Sequence, residues 1–117
     1  MIRWKDTCRF DSMHPSLLLA LLRAEALFAG YGEDCWITSV NDSVHLPTSK
    51  HYIGRAVDLR VHHLPDEAAR LTVANTLRSA VGPQFTVLYE SPGTPNAHLH
   101  IQFNGTPLPV TPPTTTA

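Results

Sequence analysis

The sequence predicts an α+β domain in which four strands form an antiparallel sheet and helices pack on one of its faces. Three observations support this prediction: two segments have helical periodicity, several others alternate with a period of two, and turn-forming residues separate them. A chain of 117 residues is long enough for one hydrophobic core and too short for two. We expect one domain over residues 1–104 and a flexible tail, rich in proline and threonine, over residues 105–117.

The first helix is predicted over residues 13–31. Asp11 and Ser12 precede it and can cap its first turn, whereas Gly30 and Gly32 end it. Five apolar residues recur at helical spacing on the face that we expect to be buried: Leu17, Ala20, Leu21, Ala24 and Phe28.

The second helix is predicted over residues 65–81. Asp66 and Glu67 place acidic side chains in its first turn, where the helix dipole favours them, and Gly82 and Pro83 stop it. Its expected apolar face consists of Leu71, Ala74, Leu77 and Val81.

Four segments have the character of strands: residues 35–40, 55–61, 84–90 and 97–103. The run between the last two consists of turn-forming residues, which predicts an antiparallel hairpin. Successive side chains of a strand point to opposite faces, so each of the last three strands has an apolar face and an open face. If the apolar faces form one core, four ionisable side chains lie together on the open face: Asp58, Glu90, His98 and His100.

This cluster predicts a metal site. Imidazole and carboxylate ligands suit a borderline divalent ion, of which zinc is the default. A further nitrogen ligand is available from His51, in a segment that Gly54 allows to turn sharply. Two histidines and Asp58 leave one coordination position for water, and Glu90 is the candidate base for that water. These are the groups that a hydrolase requires.

The same residues form two motifs. Ser49, His51, Gly54, Ala56 and Asp58 occupy the fixed positions of S-x-H-x-x-G-x-A-x-D, and a downstream H-x-H follows at residues 98–100. In both motifs the sequence resembles the zinc D-Ala-D-Ala carboxypeptidases and related peptidoglycan endopeptidases. It also resembles the Hedgehog domain, which shares their fold. The resemblance covers roughly residues 37–103.

The resemblance implies a role for each site residue. By position in the motifs, His51, Asp58 and His100 correspond to the ligands of Zn²⁺. Glu90 corresponds to the catalytic base, and His98 lies beside the metal without binding it. The implied fold is Hedgehog-like, and the implied substrate is a stem or cross-link peptide of peptidoglycan.

One position departs from the family pattern. Bacterial members commonly carry an arginine on the strand before the first motif, where it binds a substrate carboxylate or developing negative charge. Residues 38–43 contain no arginine here, and His98 and Arg55 are the candidates to replace it. The departure favours an endopeptidase over a strict carboxypeptidase, which must recognise a terminal carboxylate, but both activities remain open.

Composition restricts the possible partners. The formal net charge is -1 and the basic residues are scattered, so we expect no nucleic-acid partner. No apolar run predicts a membrane span or a signal peptide. We therefore expect synthesis in the cytoplasm and action on the cell wall, for example as an enzyme with which a phage lyses or enters its host. The oligomeric state is open and compatible with a monomer.

Cys8 and Cys35 lack C-x-x-C spacing and are expected to be partly buried thiols.

Two other functions use part of the same set of residues. The alternative is a binding module of Hedgehog-like fold, in which zinc stabilises the fold and takes no part in catalysis. The complete set of candidate ligands and base favours the enzyme over this module. A cupin-like oxygenase also uses H-x-H, but no glutamate follows His100 at the required distance. His62 has the same strand parity as Asp58 and is a candidate to line the cleft.

Overall fold

The computed structural model describes residues 1–10, 13–41 and 55–105. Its elements in chain order are β1 (Ile2–Trp4), α1 (Ser16–Ala29), β2 (Cys35–Asn41), β3 (Ala56–Arg60), α2 (Glu67–Val81), β4 (Phe85–Glu90) and β5 (His98–Phe103). The strands form one sheet in the order β1-β2-β3-β5-β4. The predicted α+β class and the hairpin of β4 and β5 are confirmed. Of the tail predicted over residues 105–117, residues 106–117 lie outside the described residues, as do residues 11–12 and 42–54.

The prediction of a four-stranded antiparallel sheet is wrong at one edge. β1 is a fifth strand and pairs in parallel with β2, with Ile2 opposite Cys35, so the sheet is mixed. Three residues are too few to show strand alternation, which is why the sequence does not reveal β1. Tertiary contacts hold β1 in place. One of them is an edge-to-face contact between the rings of Trp4 and Phe10, whose centroids lie 5.6 Å apart.

α1 buries the five residues predicted to form its apolar face. It begins after Pro15, which occupies the N-cap position without a side-chain hydrogen bond, whereas the predicted caps lie outside the described residues. At its other end Gly32 adopts a φ of 73°, a conformation that glycine tolerates without strain. The turn lets the backbone N–H of Glu33 donate to the carbonyl of Phe28 at 3.0 Å.

α2 begins at a capped turn. The Asp66 carboxylate accepts a hydrogen bond from the backbone N–H of Ala69 at 2.8 Å, which satisfies a donor that the helix itself leaves unpaired. Its buried residues are Ala69, Val73, Ala74 and Leu77. The expectation for Leu71 is wrong, because its side chain is 47% exposed and Val73 takes its place in the core.

The alternation of β3 and β5 separates a core face from an open face. Val57, Leu59, Leu99 and Ile101 are almost completely buried, in one cluster with residues of both helices. The residues between them along each strand are only partly buried and form the open face. β2 also has a core face and an open face. A register shift between Ile37 and Ser39 preserves them and brings Ser39 opposite Asp58.

Both cysteines are buried. Burial raises the pKa of the Cys35 thiol to about 12, so this group stays protonated and inert at neutral pH. The Cys8 thiol donates to the carbonyl of Ile37 at 3.6 Å. Among the described residues, neither helix has the length and apolar character needed to cross a membrane.

The core face of β5 provides a test of the packing. Leu99 is fully buried, whereas Leu88 on the open side of β4 is 44% exposed. We expect Leu99→Ala to lower the free energy of unfolding by about 2–5 kcal/mol, because it removes buried apolar surface and leaves a cavity. The matched control, Leu88→Ala, should change it by less than about 1 kcal/mol. Urea denaturation measures both, and equal losses would contradict the assignment of faces.

Candidate metal centre

The pairing of β3, β5 and β4 brings four of the predicted site residues together. Asp58 lies directly opposite His100 on β5. One pair further along, Arg60 lies opposite His98, and His98 lies opposite Glu90 on β4. Residues paired across antiparallel strands project from the same face of the sheet. Asp58, Glu90, His98 and His100 therefore share the open face, as the alternation predicts.

Asp58 and His100 are in direct contact. The Nδ1 atom of His100 lies 2.9 Å from Oδ1 of Asp58, and its Nε2 atom lies 3.3 Å from Oε1 of Gln102. Both ring nitrogens thus face oxygen acceptors. The hydrogen bond to Asp58 is the main cause that raises the pKa of His100, and it outweighs the opposing effect of burial.

His98 connects the two carboxylates. Its Nε2 atom lies 2.9 Å from Oε1 of Glu90 and 3.9 Å from Oδ1 of Asp58, whereas its Nδ1 atom lies 2.7 Å from the carbonyl oxygen of Asn96. Burial by itself lowers the pKa of His98. The Asn96 carbonyl and the two carboxylates outweigh burial, so the pKa is raised. With an acceptor at each ring nitrogen, His98 is placed to donate hydrogen bonds from both.

The cluster is open to solvent on one side. The side chains of Asp58, His98 and His100 are 28%, 27% and 21% exposed, and that of Glu90 is 43% exposed. A small ligand can therefore reach all four groups without any strand moving apart.

Asp58 and His100 offer two neighbouring side chains that could bind a divalent cation. Bonds of about 2.0–2.2 Å in tetrahedral geometry place neighbouring ligand atoms about 3.3–3.6 Å apart. The observed 2.9 Å between Nδ1 and Oδ1 differs from this by only a small shift of either side chain. The third predicted ligand, His51, lies outside the described residues. Within residues 1–10, 13–41 and 55–105, no group of three or more His, Cys, Asp and Glu side chains is arranged to hold a metal ion.

Gln102 is a site residue for which the sequence suggested no role. Its Oε1 atom faces Nε2 of His100, its amide nitrogen donates to Asn104 at 2.8 Å, and Asn104 donates to Thr86. A carbonyl on the second ring nitrogen of a metal-binding histidine orients the ring and fixes its tautomer. The available signal was strand parity, because Gln102 follows His100 by two residues.

The structure assigns different surroundings to Arg55 and His62. The guanidinium of Arg55 donates to the carbonyl of Gly105 at 3.1 Å, at the end of β3 that lies away from His98, so Arg55 is not the cation beside the cluster that the sequence suggested. His62 lines a polar cavity next to His98, as its parity suggested, and its Nε2 atom lies 2.6 Å from the carbonyl oxygen of Pro95.

The contact with Asp58 predicts how the metal-free protein responds to pH. The pKa of His100 is raised above its ordinary value of about 6.5. Its stabilising contribution is therefore complete below pH 6.5 and is lost as the pH rises through the folded-state pKa. We expect Asp58→Asn to lower the pKa of His100, which NMR titration of the ring in the presence of a chelator measures directly.

His14 provides the internal control for this titration. Burial, with a smaller effect of Arg55, lowers its pKa, so its ring should titrate below the ordinary value in both proteins. An unchanged His100 titration in Asp58→Asn would show that the two side chains do not interact in solution.

Comparisons with protein-family models, with curated proteins and with solved structures gave no match. The candidate metal centre is therefore defined by the geometry and chemistry of its own residues.

Proposed function

We propose that this protein is a zinc-dependent peptidase that hydrolyses peptide bonds in peptidoglycan. The observation that carries the proposal is the arrangement on the open face, where an Asp–His pair lies next to a His–Glu pair. In this proposal His51, Asp58 and His100 bind Zn²⁺, Glu90 is the base, and His98 assists without binding the metal.

The donor set supports zinc as the cofactor. One carboxylate and one imidazole are already in contact, and a second imidazole from His51 would complete a three-residue site of the kind found in zinc hydrolases. Bound zinc would act as a Lewis acid and would lower the pKa of a coordinated water towards neutrality. Gln102 holds the His100 ring from the side away from Asp58.

Glu90 has the position required of a base. Its carboxylate is 43% exposed and lies on the same face as Asp58, one strand pair further along. It can take a proton from a water molecule in the cleft and return that proton to the leaving amine. The hydrogen bond from His98 Nε2 fixes its orientation at 2.9 Å.

His98 is suited to stabilise negative charge. Its raised pKa favours the imidazolium form, whose positive charge beside the cluster would help to stabilise negative charge that develops on a carbonyl oxygen. The hydrogen bonds to the Asn96 carbonyl and to Glu90 occupy both ring nitrogens of His98, which favours a role beside the metal over a role as its ligand.

The choice of peptidoglycan rests on the two motifs and on their order in the chain. Ser49 to Asp58 and the downstream H-x-H resemble those of the zinc D-Ala-D-Ala peptidases, and we propose that strands β2, β3, β5 and β4 with the two helices form a Hedgehog-like fold. Cleavage within a cross-link and removal of a terminal residue are both compatible with the cluster.

The role of Glu90 can be tested by a conservative change. Glu90→Gln keeps the size of the side chain and removes its basicity, so we expect zinc content to stay the same and hydrolysis to fall by about 10²-fold or more. Mass spectrometry of digested muropeptides and metal analysis of the purified proteins measure the two quantities. Glu33→Gln, which removes a carboxylate outside the site, is the control.

Two outcomes would contradict this scheme. Full activity in Glu90→Gln would exclude Glu90 as the base. A wild-type protein that binds zinc and cleaves no muropeptide would exclude the peptidase and support the zinc-stabilised binding module.

The contact of Gln102 with the His100 ring predicts an effect on zinc affinity. Gln102→Leu removes the carbonyl that faces Nε2 of His100, so we expect zinc affinity to fall by about tenfold or more. Gln102→Glu retains an acceptor at this position and should bind zinc close to the wild-type level. Competition with a chromogenic chelator measures both, and unchanged affinity in Gln102→Leu would contradict a positioning role.

A further inference from the structure

A polar cavity of about 300 Å³ adjoins His98 at the turn between β4 and β5. Its ionisable lining residues are Lys5, Arg60, His62 and His98, and they form what we call the basic cavity. Among the described residues no carboxylate lines it, in contrast to the neighbouring cluster of Asp58 and Glu90. Its volume lies at the lower end of the range for small-ligand pockets, about 300–1,000 Å³.

Arg60 is held in position for a ligand. It lies opposite His98 on the open face, and its guanidinium carbon is 4.9 Å from the centroid of the Trp36 ring. Stacking uses the flat face of a guanidinium and leaves the N–H donors at its edge available. Within the described part of the chain Arg60 forms no ion pair, so its charge is not already neutralised there.

The other basic groups come from separate segments. Lys5 follows β1, and its backbone N–H donates to the carbonyl of Ile37 at 3.1 Å, which fixes the point from which its side chain extends. The ring of His62 lies 2.6 Å from the Pro95 carbonyl and holds the β4–β5 turn against the end of β3. The folded chain thus gathers basic side chains that are scattered in the sequence.

We propose that the basic cavity binds a carboxylate of the substrate. A guanidinium offers parallel N–H donors that match the two oxygens of a carboxylate, and a nearby ammonium adds a second positive charge. This inference rests on the proposed function and specifies its substrate as a peptide with a carboxylate close to the bond that is cleaved, because His98 belongs to both the cavity and the cluster. The carboxylate is either the C-terminus of the peptide or an acidic side chain.

Binding to the metal-free protein tests this inference independently of hydrolysis. Three probes are titrated into chelator-treated, ¹⁵N-labelled protein and followed by NMR: acetyl-Ala-Ala, its C-terminal amide, and acetyl-Ala-Glu-amide. We expect acetyl-Ala-Ala or acetyl-Ala-Glu-amide to shift the backbone signals of Arg60, His62 and Asn96. Tighter binding of the first probe identifies a terminal carboxylate, and tighter binding of the third identifies an acidic side chain.

The neutral probe gives the decisive comparison. Acetyl-Ala-Ala-amide should bind about tenfold more weakly than the preferred carboxylate probe, because it lacks the charge-assisted hydrogen bonds. Equal binding of the neutral and charged probes, or shifts confined to signals outside the basic cavity, would overturn the proposal.

Substitutions assign the effect to the basic cavity. We expect Arg60→Met to weaken binding of the carboxylate probe by about tenfold and Arg60→Lys to weaken it less, because lysine keeps the charge and loses the planar fork. Lys5→Met, at an exposed position, provides a second test if Arg60→Met does not fold. Arg23→Met removes the same charge from the exposed surface of α1 and should leave binding unchanged. Unchanged binding in both folded cavity variants would overturn the proposal.

The two proposals fail in distinguishable ways. Carboxylate binding without muropeptide cleavage would support the basic cavity and contradict the peptidase. Cleavage by a protein whose affinity for the probes is unaffected by Arg60→Met and Lys5→Met would support the peptidase and contradict the basic cavity.

Discussion

The contact between Asp58 and His100 depends on the register of β3 and β5, and the rest of the candidate site depends on that contact. A shift of one residue would turn every side chain of a strand to the opposite face. The apolar pairs on either side, Val57 with Ile101 and Leu59 with Leu99, prevent such a shift because it would expose them to water. Hydrophobic burial on one face of the sheet thus determines the polar geometry on the other.

The open face is divided into regions of different chemistry. The acidic and imidazole groups lie at its centre, the amide chain that starts at Gln102 extends to one side, and the basic cavity lies at the other. His98 lies at the boundary, in contact with Glu90 and with the lining of the basic cavity. In the proposed function, this arrangement would hold one part of a peptide while another part reacts, since binding energy away from the reacting bond can position it.

Sequence reasoning was most accurate where burial acts along a whole element. The core face of α1 and the alternation of β5 were predicted residue by residue, because a regular period repeats the same constraint several times. It was wrong for β1, which is too short to show a period, and for Leu71, whose exposure depends on where α2 lies against the sheet. The hydrogen bond of Arg55 to Gly105 was equally inaccessible, because it joins positions that only the pairing of β3 with β5 brings together.

The sequence by itself determined the fold class, the two faces of the sheet, and the four ionisable side chains on the open face. These follow from local periodicity and from the free energy of burying apolar surface, both of which can be evaluated along the chain. Only the tertiary structure decided which groups touch: Asp58 with His100, His98 with Glu90, and Arg60 with the Trp36 ring. Contacts between residues that are distant in the chain depend on strand order and register, which many segments of the chain determine together.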